Sequence, residues 1–250
     1  MGWDALRLWG DDAERVEKLA GGVANDVWSV RVGGELAVGR LGKRGDADLA
    51  WETGLLQHLE QQGMTVPAPI PTTDGRLFAD GLVVMKYVPG GPPQSAADWR
   101  RVAATMRDLH RLTRSWPQRP GWRSSLDLLT AETGTRINLN AMPPEAVARC
   151  RAAWARLAGH ATSAVHGDPN PGNIRMTADA VALIDWDEAH GDVPEIDLGA
   201  LPGNAAGFDA TTFDAATQAA TAWQAAVCWK DAYAERKLAE VWPVRDQPGT

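Results

Sequence analysis

A chain of 250 residues, 44% apolar and 23% charged, has the ordinary make-up of a soluble globular protein and room for one large domain or two small lobes around a cleft. Its formal charge of -7 argues against nucleic acid as the main partner, because phosphate backbones attract clustered Lys and Arg. No uninterrupted apolar run approaches the ~20 residues that span a bilayer, and the start carries no signal-peptide pattern, so a cytoplasmic protein without a membrane partner is expected.

In chain order, "DVWSVRV" (26–32) and "ELAVGRL" (35–41) are β-rich runs joined by Gly33 and Gly34, which predicts a hairpin. "WETGLLQHLEQQ" (51–62) sets Leu55, Leu56 and Leu59 on one helical face despite Gly54. "GLVVMKYV" (81–88) reads as an apolar strand that "PGGPP" (89–93) ends. Ser95 and Asp98 then stand three apart, close to a capping box. The helix they open carries Trp99, Val102, Ala103, Met106, Leu109 and His110 on one stripe. "PPEAVARCRAAWARLA" starts a further helix on prolines, with Val147, Cys150, Trp154 and Leu157 facing one way. The Ala-rich stretch from Thr211 to about Val241 is helical in pattern, with Ala220, Trp223 and Val227 at helical spacing. The expectation is an α+β, bilobal architecture: a β-rich lobe over residues 1–88 and a larger, mainly helical lobe over 89–250. The two cysteines, Cys150 and Cys228, match no metal or redox spacing, and the 12 Trp follow no repeat.

The stretch "AVHGDPNPGNIRM" holds the candidate chemistry. Asp168 and Asn173 are five apart, separated by Pro169, Pro171 and Gly172, a composition that forbids a helix and stiffens the loop. "IRM", "TADA" and "VALID" then read as a short hairpin that returns Asp185 towards that loop. Three oxygen-bearing side chains of this kind suit Mg²⁺, a hard ion that shares its ligands with substrate phosphates. In that reading Asn173 and Asp185 hold the metal and Asp168 takes a proton from an attacking hydroxyl, the part list of phosphoryl transfer. Taken alone, an Asp and an Asn in a Pro/Gly loop can also be turn chemistry. No Walker A glycine–lysine loop is present.

"HGDPNPGN" followed by "LIDWDEAHGDVPEIDLGAL" resembles the aminoglycoside phosphotransferase and choline kinase-like family, which has a protein-kinase-like fold. The resemblance covers roughly residues 18 to 200. It implies Asp168 as catalytic base and Asn173 and Asp185 as Mg²⁺ ligands, with His166 supporting the loop. Asp187 would help hold a second ion or pair with a nearby base. "LAGGVANDVWSV" resembles the glycine-containing turn that covers nucleotide phosphates, through Gly21, Gly22 and Asn25. Arg40 stands where a strand presents a cation to the α- and β-phosphates, with Lys43 the alternative and Glu52 the orienting partner. "VVMKYVPGG" resembles the segment whose backbone meets the purine, here Met85, Lys86, Tyr87 and Val88, with ATP expected and GTP the alternative.

The acceptor implied is a small-molecule hydroxyl. Acidic residues follow the metal motif: Glu188, Asp192, Glu195, Asp197, Asp209 and Asp214. Such carboxylates suit an aminoglycoside or another amino-bearing antibiotic, although Asp192 and Asp197 are expected to brace the catalytic loop. A metabolic kinase of choline, homoserine, a sugar or an aminosugar would carry the same residues. A nucleotide-binding pseudokinase is the third reading, disfavoured by intact Asp168, Asn173 and Asp185.

Overall fold

The computed structural model describes residues 2–19, 25–134, 136–229 and 232–241. In chain order the elements are β1 (Glu14–Lys18), β2 (Asp26–Val32), β3 (Glu35–Leu41), α1 (Asp46–Gln61), β4 (Leu82–Lys86) and α2 (Ala96–Leu112). They continue with β5 (Thr133–Gly134), β6 (Ile137–Asn138), α3 (Pro144–Ala155), β7 (Ser163–Val165), β8 (Ile174–Met176) and β9 (Val181–Leu183). β10 (His190–Asp192), α4 (Glu195–Gly199), α5 (Ala210–Val227) and α6 (Ala232–Glu240) complete the chain. By internal contacts there are two compact units, Met1–Gly91 with Arg175–Ile184, and Pro92–Ile174 with Asp185–Thr250. The first carries the sheet and the second is mainly helical, an α+β, bilobal organisation.

In the first unit a four-stranded antiparallel sheet runs in the order β1-β2-β3-β4. The β2–β3 hairpin turns on Gly33 and Gly34, both at positive φ (57° and 81°), as a two-residue hairpin turn requires. One face of the sheet is covered by a 3₁₀ helix at Trp3–Trp9, whose Leu6 and Trp9 pack with Val30, Ala37, Leu82 and Val84. α1 starts at Asp46, five residues before the expected Trp51, because Asp46 and Asp48 belong to its polar first turn. Leu55, Leu56 and Leu59 are fully buried, each contributing about 1.5–3 kcal/mol by leaving water. The segment after β4 is pinned at Gly90 (φ 126°): a Cβ there would lie 2.6 Å from the Met176 carbonyl of β8.

In the second unit α2 opens on a full capping box. Ser95 Oγ accepts from the Asp98 N–H (3.1 Å) and Asp98 Oδ2 accepts from the Ser95 N–H (3.0 Å). Its expected stripe is buried except at Trp99, which is half-buried near the helix start. Cys150 and Trp154 of α3 meet Ala219, Ala222 and Trp223 of α5 in the core. The helical C-terminal stretch is two helices, α5 and α6, rather than one. α4 and α5 approach at backbone distance: a Cβ on Gly199 would fall 2.2 Å from the Ala216 carbonyl oxygen.

Candidate active site

The loop after β7 runs from His166 to a 3₁₀ turn at Pro171–Asn173. Asn173 Nδ2 donates to the Asp168 carbonyl and to Asp168 Oδ2, both at 3.0 Å. Asn170 Nδ2 donates to the same Oδ2 at 2.8 Å, while its own Oδ1 accepts from the Gly172 N–H. Asp168 and Asn173 are therefore joined directly, and Asn170 is a third member that sequence reading passed over. Both amides meet Oδ2, and neither meets Oδ1. With Nδ2 of Asn173 engaged, its Oδ1 is the ligand-type atom.

The base of this loop rests on one buried carboxylate. Asp197, wholly inaccessible on α4, accepts from the His166 N–H at 2.8 Å and the Gly167 N–H at 2.9 Å. His110 Nε2 of α2 lies 2.9 Å from its Oδ2. Burial pushes the Asp197 carboxyl towards neutrality, but the His110 hydrogen bond, the charges of His110 and His166 and the Gly167 N–H outweigh it, holding it below the usual carboxylate range. Gly167 is required twice over: its φ is 84°, and a Cβ would lie 2.3 Å from the Glu188 carbonyl oxygen.

Asp185 follows β9 in the left-handed region (φ 61°, ψ 73°) and caps a 3₁₀ turn at Trp186–Glu188. The Arg119 guanidinium, 1% exposed, donates to the carbonyls of Trp186, Asp187 and Ala189 within that stretch. Trp186 is buried with its ring 4.9 Å from that of His166. Among the described residues no group of three or more His, Cys, Asp or Glu side chains is placed to hold a metal ion. An amide oxygen and a carboxylate, from Asn173 and Asp185, are hard donors that fit Mg²⁺, provided that phosphate and water supply its remaining positions.

In the first unit Arg40 of β3 bonds the wholly buried Glu52 of α1. Arg44 bonds the other oxygen of the same carboxylate, whereas Lys43 is exposed. Arg44 carried no motif and was missed. Gly21 and Gly22 lie outside the described residues. Asn25 packs against Gly42, where a Cβ would fall 2.3 Å from its Oδ1. Met85 is buried within β4, and the Lys86 N–H donates to the Ala68 carbonyl at 2.9 Å. Tyr87 and Val88 follow the strand, with Tyr87 48% exposed.

Most carboxylates after Asp185 already have structural work. Asp192 accepts from the N–H and hydroxyl of Ser125, both at 2.7 Å. Asp209 caps α5, Asp214 pairs with Arg156, and Glu195 pairs with His160. Glu188 and Glu195 each keep a second oxygen: Oε1 of Glu188 bonds Arg136 and Oε1 of Glu195 lies 2.9 Å from His160, while Oε2 of each is buried without a hydrogen-bond partner among the described residues.

The sequence profile of the family described as APH, phosphotransferase enzyme family, matches residues 15–239. An uncharacterized protein of Deinococcus radiodurans is 30% identical over 207 residues, 78% of this chain and 54% of that protein; the chain thus spans about half the length of this curated relative. Among solved structures, a microcompartment-associated aminopropanol kinase superposes with a TM-score of 0.65 at 15% identity, covering 95% of this chain and 91% of that one. Amicoumacin kinase hAmiN, in complex with AMP-PNP, Ca²⁺ and Ami, gives 0.64 at 14% identity, covering 93% and 87%. At these identities the two structures establish a shared fold.

Proposed function

The chain belongs to the phosphotransferase enzyme family, and on that premise we propose that it moves the γ-phosphate of ATP to a hydroxyl of a small molecule. The observation that carries this reading is the Asp168–Asn173 pair, bonded at 3.0 Å and held from below by Asp197. Asp168 takes the acceptor's proton on Oδ1, the oxygen not engaged by the two asparagines. Asn173 Oδ1 and the Asp185 carboxylate would hold Mg²⁺, which when bound would supply positive charge against the transferring phosphoryl group. Arg40, oriented by Glu52, grips the α- and β-phosphates, and Arg44 fixes the second oxygen of Glu52. Gly21, Gly22 and Asn25 cover the phosphates. With the Lys86 N–H occupied by Ala68, backbone recognition of the purine falls chiefly to Tyr87 and Val88. The nucleotide lobe is then the unit of residues 1–91 with 175–184, and the catalytic and acceptor lobe the unit of 92–174 with 185–250, so that 89–91 and 175–184 leave the lobe expected over 89–250.

The leading acceptor is an aminoglycoside or another amino-bearing antibiotic. Glu188 supports it, since its buried Oε2 has no hydrogen-bond partner among the described residues and its carbonyl lies against Gly167, next to Asp168. An aminopropanol kinase among the structures of like fold favours a second reading, a metabolic kinase of a small amino alcohol or sugar. Coupled ATP turnover with Mg²⁺ against aminoglycosides, other amino antibiotics, choline, homoserine and sugars, with GTP in parallel, separates the two. Asp168→Asn should keep Mg·ATP binding while turnover falls at least ~10²-fold, the loss expected of a missing general base. Full turnover in that variant would overturn the base assignment.

A further inference from the structure

We propose that Arg119 is the positioning residue for Asp185: it sets the turn that carries this carboxylate, and so tunes the affinity of the Mg²⁺ site. The inference rests on the reading of Asp185 as a metal ligand. Asp185 occupies a left-handed conformation that side chains other than glycine seldom adopt. Something must hold it there. Arg119 Nη1 donates to Trp186 O at 3.2 Å, Asp187 O at 3.1 Å and Ala189 O at 2.7 Å. Three carbonyls from the residues immediately after Asp185 curl around one buried cation, so the path of this turn is defined by that cation.

The guanidinium is itself seated by a strap between α2 and β5. It lies 5.0 Å over the Trp122 ring, and the Arg119 N–H donates to Gln118 Oε1 at 2.7 Å. Gln118 also grips both backbone groups of Gly191 at 2.8 Å. Trp122 stacks on His190, with centroids 5.1 Å apart, and Ser125 holds Asp192. The strap thus engages residues 186 to 192 almost one after another. Core filling alone would call for an apolar side chain at position 119, because burying a guanidinium carries a large desolvation cost. A cation ringed by main-chain carbonyls instead dictates direction. Partners that orient metal ligands in this way ordinarily govern metal affinity.

The test needs no knowledge of the acceptor. Binding of a non-hydrolysable ATP analogue is followed by calorimetry at stepped Mg²⁺ concentrations. The proteins are wild type, Arg119→Lys, Arg119→Met, Gln118→Ala, Asp185→Asn and Arg149→Met. The last removes a guanidinium that donates to the Leu238 carbonyl at 2.6 Å, remote from the turn in sequence, and controls for simple loss of stability. The Mg²⁺ midpoint in Arg119→Met should rise ~10- to 100-fold, the range for lost outer partners of metal ligands, with nucleotide affinity restored at high Mg²⁺. Arg119→Lys, which keeps charge but loses the fork, should fall between, and Arg149→Met should leave the midpoint unmoved. An unmoved midpoint in the Arg119 variants, or an equal shift in Arg149→Met, overturns the inference. Should Arg119→Met not fold, Arg119→Lys and Gln118→Ala decide on the same criterion. An unmoved midpoint in Asp185→Asn would instead overturn the metal assignment on which it rests.

Discussion

Asp197→Asn is the most informative single change, because it is nearly isosteric and strikes the support of the loop that carries Asp168 and Asn173. The carboxylate receives three donors, the N–H groups of His166 and Gly167 and His110 Nε2, at 2.8–2.9 Å. An asparagine has one acceptor oxygen, so its amide nitrogen must oppose a donor, and the remaining bonds lose their ionic partner. Hydrogen bonds to charged groups contribute about 1.5–3 kcal/mol each, so one lost and two weakened bonds amount to about 3 kcal/mol. For a chain of this size that lowers the melting midpoint by roughly 6–12 °C. The assay is thermal unfolding by circular dichroism from pH 8 down to pH 3. Because the folded-state pKa of Asp197 is depressed, its contribution is complete above the ordinary value of about 4 and lost as pH falls through the lower folded value. The gap between wild type and variant should therefore stay constant at neutral pH and narrow only in acid. A variant melting within error of wild type, or a gap unchanged in acid, refutes the reasoning.

Glu52→Gln strands two guanidiniums around a site with no exposure, which should cost about 3–5 kcal/mol and weaken ATP binding, readable by melting and by nucleotide titration. Gly199→Ala forces a methyl into the Ala216 carbonyl and should destabilise by about 1–3 kcal/mol in denaturant unfolding, with Mg·ATP affinity unaffected. Burial pushes the Cys150 thiol up to about 12, so a thiol reagent at pH 8 should label Cys228 first and Cys150 only on unfolding.

What the sequence disclosed was chiefly what is local. Gly33–Gly34 and the Ser95–Asp98 pair are short-range signals, and the hairpin and capped helix stand where those residues put them. β1 was not foreseen, because "ERVEK" has no apolar alternation; all five residues are exposed and only backbone pairing with β2 makes it a strand. The pairing of β7 with β10 joins segments 25 or more residues apart and leaves no periodic trace. The same division holds in the candidate site. The Asp168–Asn173 relation is legible because five residues of stiff loop enforce it. His110 reaches Asp197 across 87 residues and Arg119 reaches Trp186 across 67, relations that only packing creates.

The exposed strand β1 also bears on how copies of this protein behave when crowded. It ends the four-stranded sheet, and an open sheet edge is a template for another chain. This edge alternates Glu14, Arg15, Glu17 and Lys18 around the single apolar Val16 and is broken by a bulge between Arg15 and Glu17. Arg15 is drawn over the faces of Trp3 and Trp28, covering the indoles beside it. An incoming strand would meet a bent ladder and charges of both signs, so the segment that looked least like a strand is the one that keeps the sheet from growing.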